Sequence, residues 1–197
     1  MRNVCVSPAL QRAHIEDIIS IDIQNFDCAP TSREVDRGLN FPWMFTILTY
    51  RSSNQERVAG YGMVVQLTKS AHKALKSGRM HETEIESRHI ALPEDASGIY
   101  IASIATNRSL SLSEIRATAL RSRLVGYTLG QLLRAPKEVF AIAITSNGSS
   151  ICEENNMAAQ LYEGPIHGVG SYAPRLYVKQ PFVYQNFRRF SGRTPHG

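Results

Sequence analysis

Glu82, Glu84 and Glu86, with Arg88 after them, form the clearest concentration of proton-handling groups in the sequence. Read as an extended segment over residues 81–92, the alternation places these four on one face and Thr83, Ile85 and Ser87 on the other. A carboxylate held against an amine can act as a general base, which makes Glu84 and Glu86 the candidates. The same row would also serve as a solvated sheet face that discourages edge pairing. His81 and His89 flank it. At ~3.3 Å of rise per residue, a strand sets them too far apart to share a metal ion, and no metal site is expected. Cys5, Cys28 and Cys152 are scattered, without the Cys/His spacing of a zinc site, and read as reduced thiols. Arg116, Arg123 and Arg134 fall on one narrow helical face, either an anion-binding strip or a solvated surface.

The elements that must position these groups follow from apolar periodicity. Residues 4–6 form a short strand, and Ser7-Pro8 resembles a helix start. Ile15, Ile18, Ile19 and Phe26 then give a helical stripe. After a break at 28–31, residues 32–39 form a second short helix. Residues 41–50 and 58–68 are a strand and its return, a hairpin in which Gly60 and Gly62 signal a bulge or close backbone approach. Residues 69–79 are a basic helix or excursion. Residues 99–106, IYIASIAT, form a nearly continuous apolar strand suited to a sheet centre. A helix over 113–133, ended by Pro136, carries two apolar rows, and 139–145 is another buried strand. Strand, helix and strand read as a βαβ unit with near-parallel strands. Residues 149–163 are helical, and 176–178 and 182–187 are short strands.

Composition bounds the class. Among 197 residues, 43% are hydrophobic and 20% charged, which fits a chain with a real core and excludes a disordered one. No stretch approaches the ~20 apolar residues of a membrane span. The start, MRNVCVSPAL, lacks the apolar run of a secretory leader, so a cytoplasmic location is expected. The net charge of +5 tolerates acidic ligands. Arg188, Arg189 and Arg193 lie in a basic tail without dense charge or interleaved aromatics, so nucleic acid is not an expected partner. One domain over 1–187 and a flexible tail over 188–197 are expected.

Four segments, in this order, resemble the GNAT family of acyl-CoA-dependent N-acetyltransferases: DIISIDIQNF, VAGYGMVV, IASIAT with the long helix after it, and residues 155–163, which fit N-x-x-A-x-x-L-Y-E. The resemblance spans residues 4–178. It implies a single GNAT-like α/β (α+β) domain with a central mixed, mostly antiparallel sheet flanked by helices. It also implies an N-acyltransferase, moving an acetyl or other acyl group from acyl-CoA to an amine by direct attack. The acceptor would be an amine-bearing small molecule or protein, and the donor acetyl-CoA, another acyl-CoA or an acyl carrier protein. By the resemblance, the backbone of Ile104, Ala105 and Thr106 holds the pantetheine arm, and Tyr162 protonates the departing thiolate. Asn155, which opens the same motif as Tyr162, counts by the resemblance among the donor-binding residues. The family's R/Q-x-x-G-x-G/A phosphate loop maps to 111–116, which makes Ser111, Ser113, Ile115 and Arg116 donor-binding residues. Glycines serve there because backbone N–H groups must approach phosphates without a Cβ in the way. This sequence has none: Ser111-x-x-Glu114 is instead a capping-box pattern, which would use the helix donors internally. Arg108, Arg116 or Arg121 would then have to compensate. The alternative is a non-catalytic module of the same fold that binds a protein or peptide.

Overall fold

A computed structural model describes residues 4–7, 10–27, 29–30, 32–52, 55–110, 113–130, 132, 136–166 and 171–180. In chain order the elements are β1 (Val4–Ser7), α1 (Ile15–Phe26), α2 (Ser32–Asn40), β2 (Phe45–Ser52), β3 (Gln55–Leu67), α3 (Lys69–Lys76), β4 (Gly98–Thr106), α4 (Glu114–Gly130), β5 (Glu138–Ala143), α5 (Ser146–Glu154), β6 (Ala158–Leu161) and β7 (Arg175–Lys179). The strands form one seven-stranded sheet in the order β1-β2-β3-β4-β5-β7-β6. Among the described residues only β4–β5 is parallel, with α4 as its crossover, so the sheet is mixed and mostly antiparallel as expected.

Period-two alternation decides which helix covers which face. On β4, Tyr100 packs with Phe140, Ile18, Ile21, Ala71 and Leu75, the core beneath α1 and α3. Its neighbours Ile99 and Ile101 join Leu129, Val139, Ala141 and Cys152 beneath α4 and α5. Leu48, Leu120 and Leu124 extend that second core toward β2.

The glycine signal in the hairpin corresponds to both of its readings. Ala59 on β3 is an extra residue between the pairs Leu48↔Gly60 and Thr49↔Val58. Gly62 lies directly under α4, where any Cβ would collide with the Thr128 side chain.

A second bulge matters more. Met63 pairs with Ser103 and Val64 with Ile101, leaving Ala102 as the extra residue on β4. A bulge reverses the alternation beyond it. Ala102 and Ala105 therefore pack toward α1, while Ile104 turns to the α4 face.

Three expectations need correction. Residues 81–92 are not extended: they form 3₁₀ turns at Glu82–Glu84 and Ser87–His89 and pair with the sheet at the isolated bridge Leu67↔Ile90. The helix expected over 149–163 stops at Glu154, because Asn156 turns left-handed at φ 57° and the chain re-enters the sheet as β6. The strand expected from residue 41 begins at Phe45, after a 3₁₀ turn at Pro42–Met44. The strand expected at 182–187 and the basic tail lie outside the described residues. Among the described residues, no helix is long and apolar enough to cross a membrane.

Candidate active site

The parallel pair β4–β5 holds together only from Gly98↔Glu138 to Ile101↔Ala141. Beyond it, β4 bulges at Ala102 and runs on to Thr106, paired only with β3. β5 remains paired with β7 through Ala143. The strands diverge into a cleft of about 390 Å3, lined by β4 from Ile101 to Thr106, by β5, and by the start of α5. A strand edge without a partner presents backbone N–H and C=O groups, which suits an extended ligand carrying amides of its own. Ile104, Ala105 and Thr106 all lie on this wall. Thr145 accepts the Gly148 N–H at 3.0 Å, capping α5 at the opposite wall. Cys152 lines the same wall; burial pushes its thiol up to about 12, so it carries no thiolate.

Side chains hold the loop after β4. The Asn107 N–H bonds to Ala59 O at 2.9 Å. The Arg108 N–H bonds to Gln24 Oε1 at 2.9 Å, and the Ser109 N–H to Asn107 Oδ1 at 3.0 Å. Asn25 Nδ2 reaches back to Thr106 O at 3.0 Å. These three amides are therefore occupied. The side chains of Arg108 and Arg121 line the cleft mouth, whereas Arg116 is exposed and does not.

The first helical bond of α4 runs from Ala117 N–H to Ser113 O at 2.9 Å, which makes Ser113 the N-cap residue. The expected Ser111-x-x-Glu114 box is thus out of register, since Glu114 is the first helical residue and not the third. Ser111 lies outside the described residues, and Ile115 falls in the first turn. Asn155 sits away from the cleft. It ends α5, donating to Ile151 O at 2.8 Å, while its carbonyl accepts from Lys179 Nζ at 3.3 Å.

A second cavity, about 630 Å3, opens beneath α1 and α2. It meets the cleft at Phe26, Glu82, Ala102, Ser103 and Ile144. Its walls are mostly apolar, and its polar groups are organised. Tyr100 Oη donates to Glu82 Oε2 at 2.7 Å. Withdrawal from water raises the Glu82 pKa, the Tyr100 hydrogen bond opposes that, and Glu34 adds to it. Arg37, 5% exposed, donates through Nη1 to Ile85 O at 2.8 Å and fixes the turn that carries Glu82. Asp22 accepts from Tyr61 Oη, and Ser103 Oγ donates to Tyr61 Oη at 3.1 Å. Burial lifts Asp22 to about 6 against the Tyr61 hydrogen bond, with Glu34 and Glu82 adding to the rise.

The 3₁₀ turns therefore separate the acidic row. Glu82 alone reaches both cavities. Glu84 Oε2 accepts the His81 N–H at 2.6 Å, and Glu86 pairs with Arg88 at 3.0 Å. Both are taken up in local structure and line neither cavity. His81 and His89 are caps as well: their Nδ1 atoms accept the N–H groups of Thr83 at 3.2 Å and Glu86 at 3.0 Å. Tyr162 is buried beyond β6, its hydroxyl packed against Gly164, and it also lines neither cavity.

Sequence reading passed over Glu82 and Asp22. Nothing in an alternating row distinguishes its first carboxylate from the others. Asp22 did leave a signal, because it falls at helical spacing from Ile18 and Phe26, inside the apolar stripe.

No protein-family model and no curated protein matches the chain. Solved structures do match. Naa50 of Arabidopsis thaliana, in complex with the bisubstrate analogue CoA-Ac-MVNAL, is 9% identical with a TM-score of 0.58, over 90% of this chain and 99% of that one. The NatC complex bound to Gag peptide and CoA is 12% identical with a TM-score of 0.56, over 92% and 99%. The loading GNATL domain of CurA from Lyngbya majuscula is 14% identical with a TM-score of 0.52, over 75% and 68%. At these identities the likeness is one of fold, and the fold is that of the GNAT acetyltransferases.

Proposed function

We propose that the protein is an N-acyltransferase that moves an acyl group from acyl-CoA to an amine by direct attack. The observation that carries this reading is the meeting of the splayed cleft and the acid-lined cavity at Glu82 and Ser103. The unpaired edge of Ile104, Ala105 and Thr106 takes the donor's pantetheine amides, and the thioester lies at the junction. Arg108 and Arg121 meet the phosphates with side chains where a glycine loop would use amides. The acceptor nitrogen enters from the cavity. Its lone pair attacks the thioester carbon, the C–S bond breaks with its electron pair leaving on sulfur as the CoA thiolate, and Glu82 takes the proton released from nitrogen. Tyr100 orients that carboxylate, and burial raises its pKa, which makes it a stronger proton acceptor than an exposed glutamate. Two of the similar structures hold CoA or a CoA–peptide analogue, which supports this donor class. The occupied amides of Asn107, Arg108 and Ser109 favour one variation: a donor bound by its arm alone, as on an acyl carrier protein.

Calorimetric titration with acetyl-CoA and longer acyl-CoAs tests the reading. Binding that weakens as salt rises is expected, from the exposed arginines. No heat and no thermal shift across the series would remove acyl-CoA as the donor.

A further inference from the structure

Ser103 stands at the junction of cleft and cavity only because of the bulge at Ala102. Without the extra residue it would face α4. With it, the hydroxyl reaches Tyr61 Oη at 3.1 Å, and Tyr61 reaches Asp22. The direction of this chain is fixed by chemistry. An ionised carboxylate only accepts, so the single Tyr61 proton goes to Asp22 and Ser103 must donate its own to Tyr61. Ser103 Oγ keeps a free lone pair, and a donor in the cavity can meet it.

We infer that Ser103, Tyr61 and Asp22 form a proton relay that converts the acceptor from ammonium to free amine before attack. The inference rests on the acyl-transfer reading above and adds a step to it. An ammonium has no lone pair, so it must lose one proton before it attacks and another as the amide forms. In the relay step, the ammonium N–H passes its proton to Ser103 Oγ. The Ser103 proton moves to Tyr61 Oη, and the Tyr61 proton moves to Asp22 Oδ1. The N–H bond breaks with its electron pair left on nitrogen; both hydroxyls are restored, and Asp22 ends neutral. The later proton goes to Glu82. Each carboxylate thus handles one proton, Asp22 reached through hydroxyls and Glu82 directly.

The surroundings suit Asp22 to this role. Tyr61 faces it from β3, Glu34 and Arg37 lie on α2, His81 and Glu82 at the 3₁₀ turn after α3, and Asp27 at the end of its own helix. Carboxylates outnumber the one guanidinium there, and Arg37 is shared between Glu34, 3.9 Å from its Nη2, and Ile85 O. The neutral product state of Asp22 is favoured by that company, in line with its raised pKa of about 6.

The test compares two acceptors. Tyr61→Phe and Ser103→Ala should each lower kcat/KM for an alkylamine, which is an ammonium at neutral pH, by about 10²-fold. The same variants should act almost normally on methoxyamine, which is already unprotonated at that pH. Raising the pH should restore the alkylamine rate. Equal losses on both acceptors, at all pH values, would mean structural damage and overturn the relay. A wild-type protein that binds acyl-CoA but acylates neither amine would remove the acyl-transfer reading and the relay together. Connection along the chain is also visible without substrate: Ser103→Ala should raise the titration midpoint of the Asp22 carboxyl carbon, seen by NMR. An unmoved midpoint counts against the relay on its own.

Discussion

Tyr100 and Ser103 lie on one strand, and both present a hydroxyl to the α1 face, yet their settings are opposites. Tyr100 belongs to the half of β4 that is hydrogen-bonded on both edges. Its ring is 1% exposed and lies 5.1 Å from that of Phe140, its neighbour across the parallel pair. Ser103 belongs to the half paired on one edge, is half-buried, and borders two cavities. Apolar substitutions in the closed half should therefore cost stability, whereas changes to the polar groups at the junction, the Tyr100 hydroxyl included, should cost activity.

The largest expected effect is in the closed half. Phe140, 0% exposed, packs on Tyr100 and on His72, so Phe140→Ala should destabilise by about 3–5 kcal/mol in urea unfolding. Activity per folded molecule should stay level. A matching loss of activity at full folding would erase the distinction between the halves.

Glu82→Gln is the counterpart at the junction. It should lower kcat/KM by about 10²-fold or more while the melting temperature holds. A loss below tenfold would take the base role from Glu82.

Asp22→Asn should act on stability in the direction opposite to a core lesion. The folded-state pKa of Asp22, about 6, lies above the ordinary 3.8. The folded protein therefore binds the extra proton in that window, so folding becomes less favourable as pH rises through it. Above the window the charged carboxylate costs on the order of 3 kcal/mol, which asparagine relieves. Unfolding at neutral pH should show the gain and unfolding at pH 4 little of it; the reverse pattern would contradict the assigned direction.

Arg108→Ala and Arg121→Ala should have the smallest effects. Both side chains are exposed, so each should weaken acyl-CoA binding about 2–5-fold, less in high salt. Salt-independent losses would point to contacts other than phosphates.

What the sequence made legible was the frame. The runs ending at Thr106 and beginning at Val139 were readable as buried parallel strands because both of their faces are covered. The divergence of those strands was not, because the bulge at Ala102 lies within an unbroken apolar run and depends on the pairing of β3. The acidic row misled for a related reason. A period-two pattern fits a strand, but capping by His81 and His89 winds the segment into 3₁₀ turns and sends each carboxylate its own way. The N-x-x-A-x-x-L-Y-E match reads as helix in the sequence, but the left-handed turn at Asn156 puts its residues 158–161 in β6.

The loop that follows β4 has one more consequence, in the order of assembly. Its Arg108 amide is held by Gln24, and its preceding carbonyl by Asn25, across sequence separations of 84 and 81 residues. Contacts so distant in the chain carry the full entropy of loop closure and form after local pairings such as β2–β3. The mouth of the cleft therefore takes shape only when α1 docks on a sheet that already exists. Pulse-labelled hydrogen exchange during refolding should find the Arg108 amide protected later than those of β3. A chain caught partway would have its central strands in place and no entrance.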